Sequence, residues 1–234
     1  MKFEEVIRNL KRMRDPRAIE GMARYGIVGE GRLGISIPTL RTTAREIGKD
    51  HGLALKLWRS GIPDARILAA LVDEPSRVTE RQMERWVKDF DSWDICDQVC
   101  SNLFDRTPFA RSKAAEWSRR EEEFAKRAGF VLMAAMAVHD KEAGDSVFKR
   151  FFPMIKREST DERNYVRKAV NWALRQIGKR NITLNREAVR LAREIKRIDS
   201  RAACWIASDA LRELTNPTVR KTLLNKQIPP RKSR

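Results

Sequence analysis

Apolar residues recur at three- and four-residue spacings along almost the whole chain, and no stretch alternates as a half-buried strand would. Proline, glycine and small polar residues cut this helical pattern into short pieces. Pro38, Pro63, Pro108 and Pro217 stand where first turns would begin, Thr79 with Gln82 reads as a capping box, and Ser92 and Ser200 are candidate N-caps. Gly144 and Gly178 end or interrupt helices. The pattern predicts helices near 3–13, 16–24, 38–49, 51–59, 63–72, 79–90, 92–104, 109–119, 121–138, 141–157, 161–178, 185–198, 201–214 and 217–226. The longest apolar run, Ala128 to Val138, is about half the ~20 residues a membrane span needs and reads as a buried helix.

Two such helices per ~35–40 residues is the spacing of degenerate HEAT-type repeats. The expected fold is therefore all-α, a superhelical stack of antiparallel HEAT-like helix pairs (an α-α solenoid); a globular helical bundle shares the same periodicity. One repeat domain is expected over residues 1–228, with a flexible basic tail at 229–234. The glycine-rich loop from Tyr25 to Ile37 lacks a Walker pattern and lies between helices, so it does not read as a phosphate-cradling loop.

Composition adds a partner class. Lys and Arg number 49 against 32 Asp and Glu, a formal charge of +17, while 41% of residues are hydrophobic. A chain with this much core material and this excess of cations reads as a folded protein with a polyanionic partner. The segment from Met1 to Leu10 is charged, with no apolar run typical of a secretory signal. Cys96, Cys100 and Cys204 make no disulfide framework. Cys96 and Cys100, four apart, read as reduced core thiols rather than a metal site, because only His51 and His139 remain as further imidazole ligands. A reducing cytoplasm is the expected compartment.

The charge is concentrated. From Lys149 to Arg201 there are sixteen Lys or Arg and six Asp or Glu, a local excess of ten. Clustering of this kind is what phosphate binding by counterion release requires. Within it, Val166, Val170, Ala173 and Ile177 form an apolar stripe at ~100° per residue, and Tyr165, Lys168, Trp172, Arg175 and Lys179 form another stripe. An aromatic plate among cations suits a nucleotide or sugar, although a tryptophan packed in the core is the ordinary alternative. Trp93 and Asp97 are one turn apart and so are neighbours on their helix. Arg127 interrupts the apolar stripe of Phe124, Val131 and Ala134; its guanidinium would reach a groove or form an internal ion pair.

The runs Asp91-Ser-Trp-Asp-Ile-Cys-Asp97, Ala125-Lys-Arg-Ala128 and Tyr165-Val-Arg-Lys-Ala-Val-Asn-Trp-Ala-Leu-Arg175, in this order and spacing, resemble the AlkD-like family of DNA alkylation repair proteins, the HEAT-like repeat DNA glycosylases. The resemblance implies a concave basic surface that cradles duplex DNA and excision of cationic N3- and N7-alkylated purines by N-glycosidic hydrolysis, as in base excision repair. It also implies that Trp93 and Trp172 flank the sugar and phosphate of the lesion, that Asp97 is the catalytic carboxylate, and that Arg127 binds the backbone nearby. Tyr165, Lys168, Arg175 and Lys179 are the further candidate DNA contacts. The chemistry needs no metal or organic cofactor, and a monomer acting on alkylated double-stranded DNA is expected. A noncatalytic HEAT-repeat binder of duplex, branched or damaged DNA is the alternative function, and a scaffold for an acidic protein is the remoter one.

Overall fold

Short polar and proline signals set most of the helix starts. The computed structural model describes residues 1–225, and these contain helices and turns but no strand. The tail expected at 229–234 lies outside the described residues. Two compact units are present, Met1–Phe109 and Ala110–Arg234.

The first unit contains α1 (Phe3–Arg12), α2 (Pro16–Ala23), α3 (Ile37–Ile47), α4 (His51–Arg59), α5 (Pro63–Val72), α6 (Glu80–Lys88) and α7 (Trp93–Asn102). Asp15, Ser36, Asp50 and Thr79 each accept from backbone N–H groups that the first turn leaves unpaired. Thr79 therefore caps α6, but Gln82 does not close the expected box. Its amide instead donates to Asp73 Oδ2 at 2.7 Å, while Asp73 Oδ1 pairs with His51 Nδ1 at 2.7 Å. A buried carboxylate with two partners competes successfully for Gln82, because leaving it half-satisfied would cost more than one cap bond. The core of this unit is aromatic: Trp58 and Trp86 stack in parallel with centroids 4.0 Å apart, and Phe90 and Phe104 pack around them.

The second unit contains α8 (Ala110–Trp117), α9 (Glu123–His139), α10 (Asp145–Lys149), α11 (Phe152–Arg157), α12 (Asn164–Gly178), α13 (Ile182–Ile195), α14 (Arg201–Leu214) and α15 (Pro217–Asn225). The single helix expected at 141–157 is two short ones. Gly144 starts α10, and Pro153, which has no N–H to continue a preceding helix, sits in the first turn of α11. Helix α13 starts three residues earlier than expected because the Asn181 side chain accepts from Leu184 N at 2.9 Å. Within this unit α9, α12 and α14 form one row of neighbouring helices; α8 packs on α9, and α11 and α13 pack on α12, with α13 also against α14 and α15.

Close crossings decide some positions. A Cβ added to Gly129 of α9 would stand 2.5 Å from Ser118 N and 3.0 Å from Ala114 O, so α8 can lie this close only against a glycine. Gly129→Ala is expected to destabilise the protein by about 1–3 kcal/mol through overpacking, read as a lower urea midpoint. Gly144→Ala, which meets nothing within 4 Å, should leave the midpoint almost unchanged.

Candidate nucleic-acid interface

The Trp93 and Asp97 pair stands on the first turns of α7, both residues half-buried. This turn is braced by the glycine-rich loop. Arg32, buried in that loop, makes a two-pronged contact with Asp94, Nη1 to Oδ2 at 2.8 Å and Nη2 to Oδ1 at 3.0 Å. The Trp93 indole N–H donates to the Tyr25 carbonyl at 3.1 Å, which fixes the ring edge. The loop is held in turn by Asp64 of α5, whose carboxylate accepts from Leu33 N and Ile35 N at 2.7 and 2.8 Å. Gly34 is required there: its φ is +74°, and a Cβ would lie 2.5 Å from the Asp15 carbonyl. Ser92, expected as an N-cap, makes no cap bond; its hydroxyl donates to Asp94 Oδ1.

Behind this turn Cys96 and Cys100 are buried free thiols, as expected. Burial, then the hydrogen bond with Cys96 and the carboxylates of Asp97 and Asp105, pushes the Cys100 thiol well above its ordinary range, so it stays protonated and unreactive.

In the second unit α12 presents the cationic and aromatic stripe, and its neighbours divide that stripe. Tyr165 and Trp172 are half-buried and Lys168 is exposed. Arg175 and Lys179 do not stand as open surface cations. Arg175 lies 3.1 Å from Asp209 and 2.9 Å from Glu213, and Lys179 lies 2.6 Å from Glu213, all on the seam with α14. Asn171 joins the same seam through Asp209 at 2.7 Å. Any contact these two cations make with a phosphate must compete with those carboxylates.

Arg127 is buried at 6% exposure, and its guanidinium donates to the Tyr165 carbonyl at 2.6 Å, tying α9 to the first turn of α12. Phe124 packs on the Tyr165 ring with centroids 5.5 Å apart. The adjacent Lys126 pairs with Glu158 at 2.7 Å and Asp161 at 3.4 Å. Burial raises the Asp161 carboxyl, but its bonds from Arg163 and the nearby Lys126 outweigh this and hold it below the ordinary range. A lowered folded-state value means that this contribution is present above the unfolded carboxylate range and is lost only as pH falls through the lower folded value.

A further pair on this row was not singled out from sequence. Trp205 of α14 is 38% exposed, and the Arg167 guanidinium lies over its ring at 5.1 Å from the centroid. The signal existed in the exposed residues Arg201, Trp205, Ser208 and Arg212 at helical spacing.

Against known proteins, residues 6–214 match the model of the family described as DNA alkylation repair enzyme. The chain belongs to that family. Among similar proteins, the uncharacterized protein Lin0241 of Listeria innocua is 22% identical over 200 residues, covering 84% of this chain and 87% of its own length. The fold is that of the HEAT-like repeat DNA glycosylases. A solved structure described as from "a new family of proteins related to the HEAT-like repeat DNA glycosylases with affinity for branched DNA structures" superimposes with a TM-score of 0.76. That match has 20% identity and covers 92% of this chain and 96% of the other.

For a member of the DNA alkylation repair enzyme family, the brace on α7 yields a direct expectation. Arg32→Ala leaves Asp94 as an uncompensated buried charge and should cost about 3–5 kcal/mol of folding free energy, whereas Arg32→Met combined with Asp94→Leu should recover most of that loss. Denaturant unfolding checks both. Equal losses in the single and double variants would show that the pair is not what holds the loop.

Proposed function

We propose that this protein is a DNA glycosylase that removes cationic N3- and N7-alkylated purines from duplex DNA. The observation that carries the reading is the braced Trp93 and Asp97 pair in a chain of the DNA alkylation repair enzyme family. An alkylated purine already carries positive charge and leaves as a neutral base with the electrons of the N-glycosidic bond. Positive charge then develops on the sugar, and water completes the reaction at the anomeric carbon. Asp97 stabilises that oxocarbenium-like centre and orients the water, while the neighbouring Trp93 offers a π-face worth about 0.5–2 kcal/mol to a nearby cation; Trp172 is the candidate π-face of the second unit. Because the leaving group needs little acid catalysis, no strong general acid, metal or organic cofactor enters the scheme.

In this reading Lys168 and the Trp205 with Arg167 stack contribute phosphate and sugar contacts, alongside Tyr165. Arg175 and Lys179 shape the field of that row while bound to Asp209 and Glu213. Arg127, buried against the Tyr165 carbonyl, contributes by positioning the first turn of α12. The protein acts as a monomer in the cytoplasm, on the nucleoid when bound.

A second reading has one specific support: the solved relative is described by its affinity for branched DNA. In that case the same surfaces bind DNA without excision, and Asp97 has no chemical task.

The test is release of free 7-methylguanine and 3-methyladenine from methylated duplex DNA, with duplex affinity measured in parallel. Wild type should release both, and Asp97→Asn should lose at least about 100-fold in rate, the scale of removing one electrostatic stabiliser, while binding DNA normally. DNA binding without release by wild type would transfer the protein to the second reading.

A further inference from the structure

We propose that a cleft between α13, α15 and the end of α14 is a second DNA-phosphate site, its arginines standing on α13 and α15 and not on the row formed by α9, α12 and α14. This rests on the reading of DNA as the ligand and adds where a second segment of it binds. Arg186, Arg190 and Arg193 follow one another at four- and three-residue steps along α13, so they share one face, and all three are exposed. Arg220 of α15 lines the same cleft, which encloses about 300 Å³, ample for a phosphodiester.

The floor is built rather than accidental. Asn185 is buried and donates to the carbonyls of Gly178 and Leu214, both at 3.1 Å, joining the ends of α12 and α14 beneath the arginines. The carboxylates of α13 neutralise only one of the four arginines, Arg190. Glu194 pairs with Lys156 of α11 at 2.8 Å, and Glu187 is shared between Arg190 and Lys149 of α10. Arg186, Arg193 and Arg220 make no ion pair among the described residues. Like charges one turn apart repel. The carbonyl end of α14 favours one nearby cation, but it does not account for the three left unpaired. Guanidinium forks match a phosphate in two-pronged geometry, which makes a phosphate the fitting occupant.

One unit therefore offers cations on two sets of helices. In this proposal a linear duplex occupies the α9, α12 and α14 row, and the second arm of a junction occupies the arginine cleft. The cleft then favours DNA with more than one arm.

The experiment compares dissociation constants for a four-way junction and for a linear duplex of one arm's sequence at fixed salt. It uses wild type, the triple variant Arg186→Gln, Arg193→Gln, Arg220→Gln, and the triple Lys variant at the same positions. The Gln variant should lose about tenfold on the junction and under twofold on the linear duplex, with an unchanged thermal midpoint, and the Lys variant, which keeps the charge but not the fork, should fall between wild type and the Gln variant on the junction. Equal loss on both DNAs would overturn the proposal by placing the arginines in the duplex interface itself. Loss on neither would overturn it too, and reduced binding to polyglutamate in that case would assign the cleft to an acidic protein. Wild type that binds linear duplex but shows these results sinks only the second site; wild type that binds no DNA sinks the underlying reading as well.

Discussion

Helix α12 has α9 on one flank, α14 on the other, and α11 and α13 packed against it. A helix enclosed in this way can leave only a narrow strip uncovered, and any cation near a flank must find a carboxylate or lose its hydration without compensation. With 32 acidic residues for 49 basic ones, carboxylates are the scarce partner. The few on α14, Asp209 and Glu213, are committed to the α12 seam, where they hold Asn171, Arg175 and Lys179. What remains uncovered is a strip around Lys168 and Trp172, with Trp205 and Arg167 on the neighbouring turns. The surplus of positive charge is thereby pushed outward, to exposed residues such as Arg186, Arg193, Arg197 and Arg201.

Under the proposed glycosylase function the first unit meets a different demand. A carboxylate that stabilises a developing cation is effective only if it need not reorganise during the reaction. The first turn of α7 is fixed from outside the helix by Arg32, by the Tyr25 carbonyl and, through the loop, by Asp64. The glycine-rich loop thus acts as a strut, and its glycines permit the tight path that brings Arg32 onto Asp94.

Most of the fold was legible because its signals are local. Caps such as Thr79 and Ser200 lie within three residues of the N–H groups they satisfy, and prolines mark first turns. Gln82 departed from expectation because its stronger partner, Asp73, lies across a turn, and the break between α10 and α11 was written in Pro153 but masked by apolar periodicity. The three motifs around Trp93, Arg127 and Trp172 were legible as residues in order, yet their partners were not. Arg175 meets Asp209 at a separation of 34 residues and Arg32 meets Asp94 at 62, distances at which periodicity carries no information. Trp205 escaped notice for the same reason, since its importance comes from the arginine that tertiary packing places on it.

The six tryptophans sort themselves for a direct test. Trp58, Trp86 and Trp117 are buried at 4%, 3% and 0% exposure, while Trp93 and Trp172 are half-buried and Trp205 is exposed. Fluorine NMR of fluorotryptophan-labelled protein, titrated with alkylated duplex DNA, reads all six at once. The resonances of Trp93, Trp172 and Trp205 should shift while those of Trp58, Trp86 and Trp117 stay in place. Saturable DNA binding that leaves Trp93 and Trp172 unmoved would put both outside the interface.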